Sequence, residues 1–559
     1  MIRTAGKYCF ALLFAVVLSG TMAAAEMKPL EQQKWGHICS GRMPEEWYSS
    51  DKARDIAEVV LAVQKTNGGW MKNDQMHKLT EEQFLTLMRK KKEHSCLDNY
   101  ATTQEMRYLA HVYVYHKDER YRQAFVRALE MILACQKKCG GWSQYWPLTG
   151  KGSYQDYITF NDDLMTNVML LLRDVYENEG HFKDLVDEAL RERCRKAFER
   201  GLDCIMRCQI DDEGVKSVWC AQHDTVTFLP AEGRPHEMPS FCCAESAALL
   251  DFLMSVENPS PELQACITAA CDWLDTHKIE NKTLENYTNA EGEPDRRIID
   301  QEGNALWGRF VQLGGKTAKK TYKLFFKHVE DRGKTRKQLY KGREYLYAEA
   351  DNARDSYNPK MAYQPIYGIY KDTLVNLYYR FLYNYEDTPP IIDYQGVPQR
   401  TSLMPTNRAK YQFLGNWCWE VIYGEYPMWK EKVEGAAESA RNGWTQLTVS
   451  KDMLSNSKGK EYNDARLGTI KLAQGRHVIA VPEGKEAVRM VVHGFANGDE
   501  ASTLSEVNGQ ATNYLFPAKA YNPIYTTHEI DLSATPAKGE LPIVISGAQC
   551  CVIIRLYCR

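Results

Sequence analysis

The chain has 559 residues, with 70 Lys and Arg against 73 Asp and Glu and a formal net charge of −3. That balance excludes a general binder of nucleic acid, whose affinity needs a cationic face, and an acidic polymer would have to be met by a local cationic cluster or a bound metal. Hydrophobic residues at 44% and aromatics at 11% supply a large core, and the length suits two domains or more.

In chain order, residues 1–25 read as a secretory leader. Arg3 and Lys7 supply its charge, Tyr8 to Leu18 its apolar run, and Ala23, Ala24 and Ala25 a cleavage site before Glu26. The run is too short to span a bilayer comfortably, and no later stretch is long and apolar enough to cross one. The expected location is therefore secreted or periplasmic. Of the 17 cysteines, Cys242 and Cys243 are sequence neighbours, as are Cys550 and Cys551, and such neighbours do not easily bridge each other. No paired CxxC signals zinc. Most are expected as small buried hydrophobes, and an oxidising compartment leaves room for a bridge or two.

A repeat follows. DKARDIAEVVLAVQ ends at Gln64, YRQAFVRALEMILACQ at Gln136 and CRKAFERGLDCIMRCQ at Gln209, intervals of 72 and 73 residues (64 to 136 to 209). Apolar residues at three- and four-residue steps predict amphipathic helices. QKTNGGW at Gln64–Trp70 and QKKCGGW at Gln136–Trp142 place a double glycine at the first two helix ends, and Gly214 with Trp219 echoes the pattern loosely. A fourth helix is expected from Pro261. A second set of helices is predicted to begin near Asp98, Asn161 and Pro239, with Asp, Asn or Ser as N-caps. The period is long for common helical solenoids and suits helix pairs set in a ring. The expected fold is mainly α, an incomplete (α/α) toroid over residues 26–390.

Helical pattern continues through YKDTLVNLYYRFLYNYE, and Pro389–Pro390 breaks it. Residues 391–443 read as a linker or packing segment. From Trp444 to residue 559, short β-branched runs split by Gly, Asn and Pro predict a smaller all-β, sandwich-like domain.

Three stretches exceed what capping needs. YITFNDDLM brings Asp162 and Asp163 beside an asparagine, oxygen donors that hard cations prefer. VWCAQHDTVTFLPAEGRPHEMPSFCCAES carries His223, Asp224 and Glu245, and ALWGRF puts Arg309 among aromatics near an expected helix start. Together with MPEEWYSSDKARDIAEVVLAVQKTNGGWMKN and ENPSP, these stretches resemble the pectate lyases of polysaccharide lyase family ten from about Met43 to Leu313. The resemblance implies calcium-dependent β-elimination of polygalacturonate or another acidic pectic polymer. It implies Asp162 and Asp224 as metal ligands with Asp163 as a weaker candidate, and Arg309, from a W-x-R-F motif, as the base. Trp70, Lys72, Asn73, His223, Glu245 and Arg343 are candidate substrate contacts. After Phe310 the chain departs from the family, with Val311 and Gln312 where Tyr-Glu is usual. Gly342–Arg343 is the next clear Gly-Arg. Two rival readings stand beside this one: an α/α-ring glycoside hydrolase using paired carboxylates such as Asp163 and Glu245, and a non-catalytic pectin-binding protein.

Overall fold

The computed structural model describes residues 28–150, 153–233, 237, 239–288, 292, 294–318, 320, 321, 324, 365–370, 373–376, 414–455, 469–518 and 522–559. The leader, Arg343 and most of 325–413 lie outside the described residues. The chain divides into two compact units, Met1–Leu249 with Arg309–Gln395, and Leu250–Gly308 with Gly396–Arg559.

In the first unit the Gln-ended helices are α1 (Asp51–Val63), α3 (Glu119–Cys135) and α5 (Glu188–Cys208). The second set is α2 (Thr103–His116), α4 (Leu164–Glu177) and α6 (Cys243–Met254), the last running on into the second unit. α1 packs on α2 and α3, α3 on α5, and α4 on α5. The Gln-ended helices bury one face each. In α4, nine of the residues from Leu164 to Val175 are buried, so it is enclosed nearly all round.

The repeated motif has a mechanical purpose. Gln64 Nε2 donates to Gly68 O at 2.7 Å in its own turn and to Ala124 O at 2.8 Å on α3; Gln136 Nε2 donates to Gly140 O and to Ala197 O on α5, both at 2.8 Å. Arg127 Nη2 returns a bond to Gln64 Oε1, and Arg200 does the same for Gln136 Oε1. Each glutamine thus satisfies its own turn and ties its helix to the next. The third copy keeps the local half, Gln209 Nε2 to Ser217 O at 2.8 Å. Trp70, Trp142 and Trp219 are fully buried, each indole donating to its own helix at Val60 O, Ile132 O or Ile205 O.

The first glycine of each pair is required twice over. Gly140 has φ +94°, and a Cβ there would lie 2.2 Å from the Arg200 carbonyl oxygen. Gly140→Ala is expected to cost about 3 kcal/mol, combining a left-handed backbone with overpacking against a neighbouring helix. Gly180→Ala, at φ +54° with open space around it, should cost about 1 kcal/mol. Urea unfolding of the two variants checks the difference; equal losses would contradict it.

Glu105, on α2, is fully buried. Its Oε1 accepts from Trp35 Nε1 at 2.7 Å and Gln104 Nε2 at 3.0 Å, and its Oε2 has no hydrogen-bond partner among the described residues. Burial pushes this carboxyl up to about 7, against a partial counter-pull from Trp35. A folded-state value above the unfolded one means stability falls as pH rises from about 4.5 to about 7. Glu105→Gln should therefore leave stability at pH 5 nearly unchanged and raise it by up to about 3 kcal/mol at pH 8. Thermal unfolding at both pH values tests this, and a gain of equal size at pH 5 would refute it.

Several expectations need correction. Neither Asp98 nor Asn161 caps a helix: each sits in a short 3-10 turn, and α2 and α4 begin after Thr102 and Asp163 with no side-chain cap. The polar groups are engaged elsewhere, as described below. Arg309 does not open a helix directly, although helical residues begin at Gly315. It separates strands Pro294–Gly308 and Phe310–Gln312, and the latter pairs with Ser240–Cys242. Thr373–Asn376, expected as helix, pairs as a strand with Pro365–Tyr370; its β-branched residues suit the pleat. Every cysteine from Cys39 onward is a free thiol, buried except for Cys139. Among the described residues no helix is long and apolar enough to cross a membrane.

In the second unit, α7 (Pro261–Thr276) confirms the fourth helix, capped by Ser260, whose hydroxyl accepts from Leu263 N. A long antiparallel pair, Ile279–Thr288 with Pro294–Gly308, follows where no strands were expected. Trp307 near its end donates its indole to Leu274 O at 2.8 Å, the fourth copy of the tryptophan device. The expected linker contains a helix, α8 (Tyr426–Asn442), closed by Gly443 at φ +66°. The C-terminal residues form two antiparallel sheets. One orders Thr445–Thr448, Cys550–Cys558, Glu486–Ala496 and Thr526–Asp531; the other orders Leu454–Ser455, Gly475–Ala480, Glu540–Gly547, Ser502–Val507 and Gln510–Phe516. Met490, Val492, Leu541, Ile543, Ile554 and Leu556 belong to one core shared by both. The protein is thus helix-rich with a separate β-rich C-terminal region.

Candidate active site

Backbone pairing after each tryptophan sets up a row of side chains. Trp70 O accepts from Cys96 N, Trp142 O from Thr159 N and Trp219 O from Cys242 N. One step further, Gln144 O accepts from Leu97 N, Ala221 O from Phe160 N, and Arg309 O from Cys243 N. The residue two places after each tryptophan is therefore equivalent: Lys72, Gln144, Ala221 and Arg309. The turns that follow the pairing are equivalent too. Asn99 and Tyr100 have φ of 53° and 64°, and Asp162 and Asp163 have 52° and 58°. Asn and Asp tolerate that left-handed geometry, and it turns Asp98, Asn161 and Asp162 out of the helix register.

The row is closely connected. Lys72 forms an ion pair with Asp98, which is 3% exposed. Burial works against the Lys72 ammonium, but the hydrogen bond and charge of Asp98 outweigh it and lift Lys72 above its ordinary value. Burial pushes the Asp98 carboxyl up and the charge of Asp162 adds to the push, while Lys72 pulls it back. The charged pair is the state this geometry supports at neutral pH. Asn161 joins the next two members: its Nδ2 donates to Asp162 Oδ2 at 2.8 Å, and its Oδ1 accepts from Arg309 Nη2 at 3.2 Å. Arg309 Nε donates to Glu245 Oε1 at 2.9 Å, and Nη2 makes a second, shorter bond to the same oxygen. Glu245 is 6% exposed, and its Oε2 finds no hydrogen-bond partner among the described residues. Asp163 Oδ2 accepts from Tyr100 OH at 2.9 Å.

Asp224 sits on a different loop. Ile158 pairs with His223 and Thr159 with Gln222, so Asp162 lies just past one end of this short ladder and Asp224 past the other. Asp224 Oδ1 accepts from Val226 N, Thr227 N and Thr227 Oγ1 at 3.1, 2.7 and 2.8 Å, which staples its own loop.

Two expected substrate contacts are corrected. Trp70 is fully buried and bound to its own helix, so it offers no face to a sugar. His223 is also fully buried: its Nε2 accepts from Cys220 N at 2.9 Å and its Nδ1 donates to Phe228 O at 2.8 Å. Burial lowers it to about 4, so it is neutral and supports the Asp224 loop. Lys72 and Glu245 join the row. Asn73 is exposed, and its Oδ1 lies 3.4 Å from Asn99 Nδ2. Asp98, Tyr100 and Asn161 were not among the expected site residues. The parallel between LDNY and FNDD, each one step past a residue paired with a tryptophan, is the signal that would have found them.

Among the described residues, no three His, Cys, Asp or Glu side chains form a ready-made metal cage. Asp162, Asp163 and Asp224 are all carboxylates, the donor type a hard cation takes, with Asp224 past the opposite end of the short ladder from Asp162.

Residues 64–323 match the family described as pectic acid lyase, so this segment is pectate-lyase-like. Two solved structures are similar over half of this chain, each at 27% identity and a TM-score of 0.42. One is a family 10 polysaccharide lyase from Cellvibrio cellulosa, with 80% of its chain covered. The other is a mutant of the family 10 polysaccharide lyase from the same organism in complex with trigalacturonic acid, with 81% covered. No curated protein matches the chain.

Proposed function

We propose that this protein is an exported pectate lyase that cleaves polygalacturonate by β-elimination, built on an (α/α) toroid with a β-sandwich appendage. The observation that carries the reading is the Asn161 amide, which holds the Arg309 guanidinium and the Asp162 carboxylate on its two ends. A lyase needs that juxtaposition, a candidate base beside an acidic group able to hold a cation.

A galacturonate C5 proton is only weakly acidic. Asp162 and Asp224, with Asp163 in support, would hold calcium, which when bound would neutralise the sugar's C6 carboxylate. Arg309, as the neutral guanidine, takes the C5 proton, the C4–O bond to the next sugar breaks with its electron pair going to the departing oxygen, which takes a proton from water, and a 4,5-unsaturated end remains. Lys72, already poised beside Asp98, takes a further uronate carboxylate. Glu245 favours the charged form of Arg309, so proton removal belongs to alkaline pH.

The test is polygalacturonate with calcium or with chelator, read by the ultraviolet absorbance of the unsaturated product. Absorbance that rises with calcium and stops with chelator is expected. New reducing ends without absorbance would point to a hydrolase, and binding without turnover to a capture protein.

A further inference from the structure

The first unit also contains a cavity of about 590 Å³, within the range of small-ligand sites. It is not lined by Lys72, Asp98, Asp162 or Arg309. Four cations from three segments surround it: Arg207 in the last turn of α5, Lys216 on the hairpin that follows, and Lys316 and Lys320 after strand Phe310–Gln312. Asp211 and Glu213 also line it, but both carboxylates serve the backbone, accepting from Gly214 N at 2.8 Å and Lys316 N at 3.3 Å. Among the described residues, Lys216, Lys316 and Lys320 make no ion pair. Arg207 has only a long contact with Asp203, at 3.5 Å between two half-exposed side chains, and that is worth little.

The wall of this cavity is prepared for a planar anion. Phe228 takes φ +60°, an unfavourable conformation for an aromatic residue. It is held there by its N–H to Asp224 O at 3.0 Å and by His223 Nδ1 donating to its carbonyl. The strained residue places its ring under Arg207, whose guanidinium carbon lies 3.9 Å from the ring centroid. A guanidinium held over an aromatic ring still presents donors to a carboxylate. Leu229 and Pro230 add an apolar surface beside it. Cations next to apolar wall suit a sugar ring that carries a carboxylate better than they suit a bare inorganic ion.

We propose that this cavity binds an acidic oligosaccharide, its uronate carboxylates on Arg207, Lys316 and Lys320, apart from the residues that carry the elimination. The class of ligand rests on the lyase reading; the cavity and its charge do not. Its Phe228 wall belongs to the loop that carries Asp224.

Calorimetric titration of the whole protein with trigalacturonate, in chelator, tests the proposal. The comparison is a Lys316→Glu, Lys320→Glu double variant, both positions being exposed. The neutral galactose trisaccharide and inorganic sulfate serve as further probes. Expected are binding to the parent, affinity reduced about tenfold or more in the double variant, no binding of the neutral sugar, and lyase turnover within twofold of the parent. Equal affinity in parent and variant would overturn the proposal, as would equal binding of the neutral sugar. Sulfate binding as tightly as trigalacturonate would reduce the cavity to a bare anion site and overturn it as well. If no unsaturated product forms while trigalacturonate binding still depends on the two lysines, the cavity stands and the lyase reading falls.

Discussion

Arg309→Ala is expected to lower turnover of polygalacturonate by a factor of about a thousand or more, the scale of losing a positioned proton acceptor together with its charge. The variant also strands Glu245, a buried carboxylate whose ion-pair partner is that arginine. Breaking such a pair costs about 3 kcal/mol, so lost activity alone would be ambiguous. Arg309→Lys resolves this. It keeps a cation opposite Glu245, but a single ammonium cannot reproduce the fork that now spans Glu245 and Asn161. Thermal stability near the parent with turnover down about a hundredfold is the expected pattern. Parental turnover in the lysine variant would remove Arg309 from the chemistry. Glu245→Gln separates the rival mechanism. In a hydrolase that uses Glu245 as an acid or base, the amide abolishes activity. In the lyase, turnover persists, because Glu245 is not the group that takes the C5 proton.

Much of the helical repeat could be read from Gln64, Gln136 and Gln209, because their job recurs at a constant interval and demands one residue type each time. The glutamine amide must serve its own turn and the next helix together, and no shorter or charged side chain does both. The fourth tryptophan escaped because Trp307 follows a long strand pair in place of a glycine turn, so nothing beside it repeats. Asp98 and Asn161 were missed as site residues for a related reason. A polar residue just before a helical pattern reads as a cap, and Asp98 and Asn161 occupy that place. Their turns are left-handed, a property of backbone pairing to the preceding tryptophan segments that no single-residue preference reveals. Trp70 and His223 misled in the opposite direction. Both are residue types that meet sugars, but each donates a ring N–H to a main-chain carbonyl inside the core. Burial made that decision, and it depends on contacts far away in the sequence.

The carboxylates allow an equally sharp test. If Asp224 acts through its charge on a cation, Asp224→Asn should abolish turnover almost as completely as Asp224→Ala, a loss of about a thousandfold in either case. If Asp224 acts only by shaping its loop, the two variants should separate. Asparagine retains an oxygen that can accept from Val226 N, Thr227 N and Thr227 Oγ1, whereas alanine leaves three donors without their acceptor. The alanine variant should therefore also lose about 2 kcal/mol of stability, while the asparagine variant stays near the parent. Asp162→Asn is expected to behave like Asp224→Asn, since an amide can keep the contact with Asn161 and still lose the charge. Residual turnover in both asparagine variants should need more calcium than the parent for half-maximal rate. A calcium titration identical to the parent's in both would show that neither carboxylate holds the ion, and the reading of this row as a lyase centre would lose its metal.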